Sequence, residues 1–172
     1  MRRLTVLILG VCALLALTVE AGIAAPANPT GKVVLTVTGA ISEKNSDKGL
    51  EMDMAMLEKI GLQLCEVRDP WLGSKKYTGV LVSAILETAG ASEDYDEVIV
   101  IAKDGKKVTL TADDINKYPI ILATQDGGKA IGTGVGGPIK LVFPYGTHPE
   151  VEKVHDKNDW NWYVITLEVK VK

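Results

Sequence analysis

A single α+β domain with more strands than helices is the fold class this sequence predicts, on three observations. Alternating, β-branched runs open and close the chain beyond residue 27. An Asp-Gly pair separates two further runs of the same kind near the middle, a strong hairpin signal. Helical signals, by contrast, are confined to three short segments.

The elements follow in chain order. Lys32 to Thr38 (KVVLTVT) alternates and predicts a strand that Gly39 ends. Leu50, Met54, Leu57 and Ile60 fall near helical spacing, which predicts a helix over Leu50 to Ile60 with Gly61 as its stop. Met52, Met54 and Met56 gather there as core filling, because two of them share parity rather than a helical face. Leu62 to Val67 predicts a strand carrying Cys65, broken into a loop by Asp69-Pro70-Trp71-Leu72-Gly73.

Leu81, Ile85, Leu86 and Ala89 make the apolar stripe of a second helix, closed by Gly90. Glu97 to Ala102 and Lys107 to Leu110 form the hairpin around Asp104-Gly105. Thr111 then reads as the N-cap of a short helix over Ala112 to Asn116, with Asp113 and Asp114 at the positive end of its dipole. Capping accounts for this carboxylate pair better than acid–base catalysis, because adjacent side chains diverge on a helix. Ile120 to Ala123 and Ile139 to Phe143 are short strands, and Trp162 to Val171 is a long final one. In that last strand Tyr163, Ile165, Leu167, Val169 and Val171 are expected on one face, opposite Thr166, Glu168 and Lys170.

The N-terminus sets the expected compartment. Met1-Arg2-Arg3 is a basic lead, and Leu4 to Leu17 is an apolar core of secretory-signal length, too short for a membrane span. Residues 1–27 are therefore read as a cleaved signal peptide and 28–172 as a periplasmic or secreted domain, free of the membrane after cleavage. Losing Arg2, Arg3 and Glu20 from the 19 basic and 22 acidic residues leaves 17 and 21. This mild acidity, without a basic cluster, argues against nucleic acid. Cys12 lies in the signal core, so Cys65 is the one cysteine left and no intrachain disulfide forms.

The chemistry-bearing candidates are few. Gly127 to Tyr145 (GGKAIGTGVGGPIKLVFPY) packs six glycines between residues 127 and 137, and such density usually serves a close backbone approach. Gly132 to Gly137 spells G-x-G-x-x-G, yet Pro138 and a strand follow where a helix must begin, so no dinucleotide seat is expected. His148 and His155, with Asp156 and Asp159, have metal-capable side chains, but a solvated loop is the simpler account of that polar segment. Trp71, Trp160 and Trp162 stand in two places, either as core anchors or as walls of a pocket for a flat, polar ligand.

Four segments, taken in order, resemble the molybdopterin-binding domain of the sulfite oxidase family. They are Tyr77-Thr78-Gly79-Val80-Leu81 with its helix to Gly90; Val98 to Gly105 with Ile121-Leu122-Ala123; Gly136-Gly137-Pro138-Ile139-Lys140-Leu141-Val142-Phe143-Pro144; and Asp159 to Tyr163. The resemblance covers nearly all of residues 28–172 and implies a compact mixed-sheet α+β domain with a pocket shaped for a pterin-like ligand. It also implies where the metal machinery would lie. The family's metal-binding cysteine matches Cys65 loosely, since Glu66 and Val67 stand where the family has small residues. Val135 and Lys140 occupy the His and Arg places of the pterin-phosphate grip, and Asn161 stands where a Lys is expected. Each charge-assisted hydrogen bond missing from that grip is worth about 1.5–3 kcal/mol, so cofactor retention would be severely weakened.

Three functions are consistent with this pattern. The first is an exported, non-catalytic protein, binding a pterin-like or other planar anionic small molecule or acting as a sensory accessory. Trp71, Gly134, Gly136, Gly137, Lys140 and Trp160 would line its pocket. The second is a molybdenum oxidoreductase that binds molybdopterin and uses Cys65 as the metal ligand. The third is a domain that binds a protein partner and no small molecule.

Overall fold

In the computed structural model, residues 26–172 are described, so the signal-peptide segment, apart from its last two residues, lies outside the described residues. Two five-stranded sheets carry the fold. In the first, β2 (Leu50–Asp53) lies beside β1 (Val33–Gly39), followed by β10 (Val164–Lys170), β5 (Glu97–Ala102) and β6 (Lys107–Thr111). The first and last strands meet there, β1 running parallel to β10 with Thr36 opposite Thr166. In the second, β3 (Gln63–Asp69) pairs with β4 (Gly73–Leu81), β4 with β7 (Ile121–Asp126), and β7 with both β8 (Lys129–Ala130) and β9 (Lys140–Val142). The α+β class expected from the sequence is observed.

Local chemistry explains the elements read correctly. Leu35 and Val37 on β1, and Val98 and Val100 on β5, alternate into the core with no exposed surface. The hairpin of β5 and β6 turns through Asp104-Gly105 with Ile101 opposite Lys107. Helix α3 (Ala112–Lys117) starts on a capping box, the Thr111 side chain accepting from the Asp114 amide while the Asp114 side chain accepts from the Thr111 amide. Helix α2 (Val82–Thr88) buries Val82, Ile85 and Leu86.

Three expectations are corrected. Leu50 to Asp53 is strand rather than helix, because Asp53 takes an extended conformation and caps α1 (Met54–Ile60) by accepting from the Met56 amide. The same carboxylate accepts from the amides of Thr30 and Gly31, which ties down the start of the domain. Gly73 to Leu81 is a full strand, and β3 runs on to Asp69, so the loop expected there is a tight hairpin tip. Finally, β10 keeps the expected face at Leu167 and Val169 but loses it at Ile165. Tyr163 has φ of 57° and the register shifts between Val164 and Thr166, so Val164 is buried while Ile165 is 42% exposed.

The glycine-rich stretch approaches the protein's own chain. At Gly136, φ is +97° and a Cβ would lie 2.8 Å from the Trp162 ring; at Gly137 it would lie 1.9 Å from the Ile131 carbonyl oxygen. Gly134 faces open space. Among the described residues no helix is long and apolar enough to cross a membrane.

Candidate functional site at the hairpin tip

The tip between β3 and β4 is organised by one buried carboxylate. Asp69 is 2% exposed, and its Oδ1 accepts from the backbone N–H groups of Trp71 and Leu72 at 2.9 Å each. An Asp preceding a Pro commonly folds the chain back in this way. The other oxygen accepts from the Tyr77 hydroxyl at 2.7 Å and from Lys140 Nζ at 2.6 Å. Burial alone would raise the Asp69 pKa, but the bonds from Lys140, Tyr77 and the two amides outweigh it and hold the carboxyl below its usual range. Burial is also the main cause of the lowered Lys140 pKa, with Asp69 opposing it. The Tyr77 hydroxyl is pushed well above its usual value by burial and by Asp69.

Lys140 therefore does not face a ligand. Its side chain is fully buried, and Nζ has its charge met by Asp69, a bond to the Tyr77 hydroxyl at 3.1 Å, and the Trp162 ring 4.4 Å away. Strand β9 places it there, and Trp160 and Trp162 close over it from the segment leading into β10.

Above this pair sits an aromatic cleft. Trp71 is held at the tip by Asp69 and is 49% exposed. It stands edge-on to Trp160 and Trp162, with centroids 6.4 and 5.8 Å apart. A cavity of about 290 Å³ runs along the three tryptophans and is bounded by Asp104, Lys106 and Asn161. Lys106 Nζ donates to the Trp160 carbonyl at 2.7 Å. Asn161 is fully buried and donates from Nδ2 to the carbonyls of Val100 and Lys106, leaving its Oδ1 and the Trp162 indole N–H without protein partners among the described residues.

The structure thus brings Trp71, Trp160 and Lys140 together, and Gly136 supports the group from behind Trp162. Gly137 packs on Ile131, and Gly134 takes no part. Cys65 lies elsewhere. It lines a separate cavity of about 140 Å³ with Leu64, Leu81 and Pro144, sharing no lining residue with the tryptophans. Burial pushes its thiol up to about 11, the opposite of what a thiolate ligand needs.

The histidines do not form the solvated loop expected. His155 is 4% exposed, stacks on Phe143 at 4.7 Å, and sets Nδ1 3.0 Å from Asp159 Oδ2. Its Nε2 lies 3.2 Å from Asp114 Oδ2, close but outside hydrogen-bond geometry. His148 instead meets Tyr118 edge-on. Among the described residues no group of three or more His, Cys, Asp or Glu side chains is arranged to hold a metal ion. Sequence reasoning missed Asp69, Tyr77 and Lys106. An Asp before Pro-Trp-x-Gly signals a turn, but nothing local signals that its other oxygen is spoken for by a lysine 71 residues away.

No family profile and no curated protein matches the chain. A solved structure does match: the sulfane dehydrogenase SoxCD from Paracoccus pantotrophus, with a TM-score of 0.61 at 18% identity, covering 80% of this chain and 38% of that one. The likeness is one of fold. This chain spans little more than a third of that enzyme's chain.

Proposed function

We propose that this chain is an exported, non-catalytic protein that binds a planar, pterin-like or other flat anionic molecule in the tryptophan cleft, as a carrier or a sensory accessory. The observation that carries the reading is Trp71. A large aromatic held half-exposed at a tip, by a buried four-donor carboxylate, is a presented surface rather than a core anchor. Two further indoles and the exposed Lys106 border the same cleft. Lys106 is the cation for the ligand's anionic edge, since the charge of Lys140 is already met.

A molybdenum cofactor does not fit these residues. The thiol that would hold the metal lies in a different cavity and is pushed away from its thiolate form. The lysine at the phosphate-gripping place is buried against Asp69. The amide nitrogen of Asn161 is committed to two carbonyls of its own chain. No redox step is assigned to the site.

Titration of the mature protein with free pterin and pterin phosphate, followed by tryptophan emission, tests the reading. Saturable quenching is expected. Trp71→Ala should weaken binding roughly tenfold, the ~1.4 kcal/mol that one aromatic face supplies, with the melting temperature unchanged. Emission that is indifferent to flat heterocycles up to solubility would sink the proposal.

A further inference from the structure

A second cavity, of about 720 Å³, is larger than the tryptophan cleft and shares no lining residue with it. It lies between the end of β3, which contributes Arg68 and then Pro70, and the segment carrying Tyr145, Glu152, Asp156 and Lys157.

Both walls are fixed. Gly146 lies so close to β3 that a Cβ there would sit 2.4 Å from the Glu66 carbonyl oxygen. The Tyr145 hydroxyl donates to the His155 carbonyl. His155 is in turn anchored by its stack on Phe143 and its contact with Asp159. The cleft is therefore formed before any ligand arrives, which lowers the ordering cost of binding.

Its charges are unspent. Arg68 is the one arginine among the described residues, in a domain that otherwise uses lysine, and no described carboxylate lies within ion-pair distance of it. The nearby carboxylates are taken, Glu66 by Lys76 and Asp69 by Lys140. Across the cleft Glu152 and Lys157 are likewise in no ion pair among the described residues, while Asp156 accepts from the amide and side chain of Asn158. A guanidinium fork suits a carboxylate in two-point contact. A simple anion would meet repulsion from Glu152 and Asp156, and a simple cation repulsion from Arg68 and Lys157. A molecule carrying both charges is attracted by both sets, with Pro70 and the Tyr145 ring offering an apolar surface to its body.

We propose that this cleft binds a small zwitterion, a free α-amino acid or a short peptide, with its carboxylate on Arg68 and its ammonium on Glu152. The site is independent of the tryptophan cleft and stands or falls without it.

Calorimetry on the mature protein, against a panel of free amino acids, dipeptides and tripeptides, tests this directly. Saturable one-to-one binding is expected for at least one of them. Amidating its C-terminus or acetylating its N-terminus should each weaken binding at least tenfold. Arg68→Lys, which keeps the charge but loses the fork, should weaken it at least tenfold. Glu152→Gln should remove the preference for a free amine. Both side chains are exposed, so both variants should melt where the parent does, and Trp71→Ala should leave this binding unchanged. Absence of heat with the whole panel at millimolar concentration would overturn the proposal. So would binding that survives Arg68→Ala intact, or acetate and phosphate binding as tightly as the amino acids.

Discussion

Cys65 and Asp69 lie four residues apart on one strand, on the same side by the alternation of β3, and their surroundings treat them oppositely. Asp69 is buried with four donors around it, and its acid form is disfavoured. Cys65 is half-buried with no polar partner among the described residues, and its charged form is disfavoured. The resemblance to molybdenum enzymes places the chemistry at the cysteine. The physical organisation lies at the aspartate, which presents a tryptophan and pairs with the buried Lys140. Burial alone thus says little about function, whereas the partners supplied to the buried group say a great deal.

That contrast is broken most sharply by removing the carboxylate. Asp69→Ala leaves Lys140 buried without its counter-ion and should cost about 3–5 kcal/mol in chemical denaturation. Lys140→Met should cost less, because Asp69 keeps the Tyr77 hydroxyl and two amides. Equal losses, or less than about 1 kcal/mol for Asp69→Ala, would show that the tip does not depend on the pair.

A smaller effect follows from pH. In Asp69 and Asp114 burial raises the pKa but hydrogen bonds overcome it, for Asp114 chiefly those from the Thr111 hydroxyl and amide, so both folded values lie below the ordinary 3.8. A depressed carboxylate adds stability that is fully present above the unfolded value and lost as pH falls through the folded one. Stability should therefore hold down to about pH 5 and decline below about pH 4, with a shallower decline in Asp114→Asn. Denaturation midpoints across that range check it, and a loss that begins near neutrality would contradict it.

The mildest effect concerns Cys65. With its thiol near 11, alkylation at pH 8 should run at least tenfold slower in the folded protein than in urea. Cys65→Ser should leave binding to the tryptophan cleft unchanged. A fast-reacting thiol would erase the difference between the two positions.

What the sequence made legible was local. The turn at Asp104-Gly105 and the cap at Thr111 depend on neighbours within a few residues, and both stand as expected. Trp71 and Trp160 were singled out together, and the structure puts their rings 6.4 Å apart. The density of glycines between 127 and 137 pointed to a close approach, and the partners turned out to be Trp162 and Ile131. The rest depended on distant partners. Leu50 and Met52 pack inward from an edge strand although Leu50 also fits a helical period. Lys140 reads as a ligand-facing cation until Asp69 folds against it. One shifted residue in β10 turns Ile165 outward. Period and composition carry no information about such long-range pairings.

The most direct test of the central claim is elemental molybdenum together with released-pterin fluorescence, measured on protein purified from its native host. The account predicts a flat ligand, pterin or otherwise, with molybdenum far below stoichiometry. Stoichiometric molybdenum that disappears in Cys65→Ser would contradict it and return the chemistry to the cysteine.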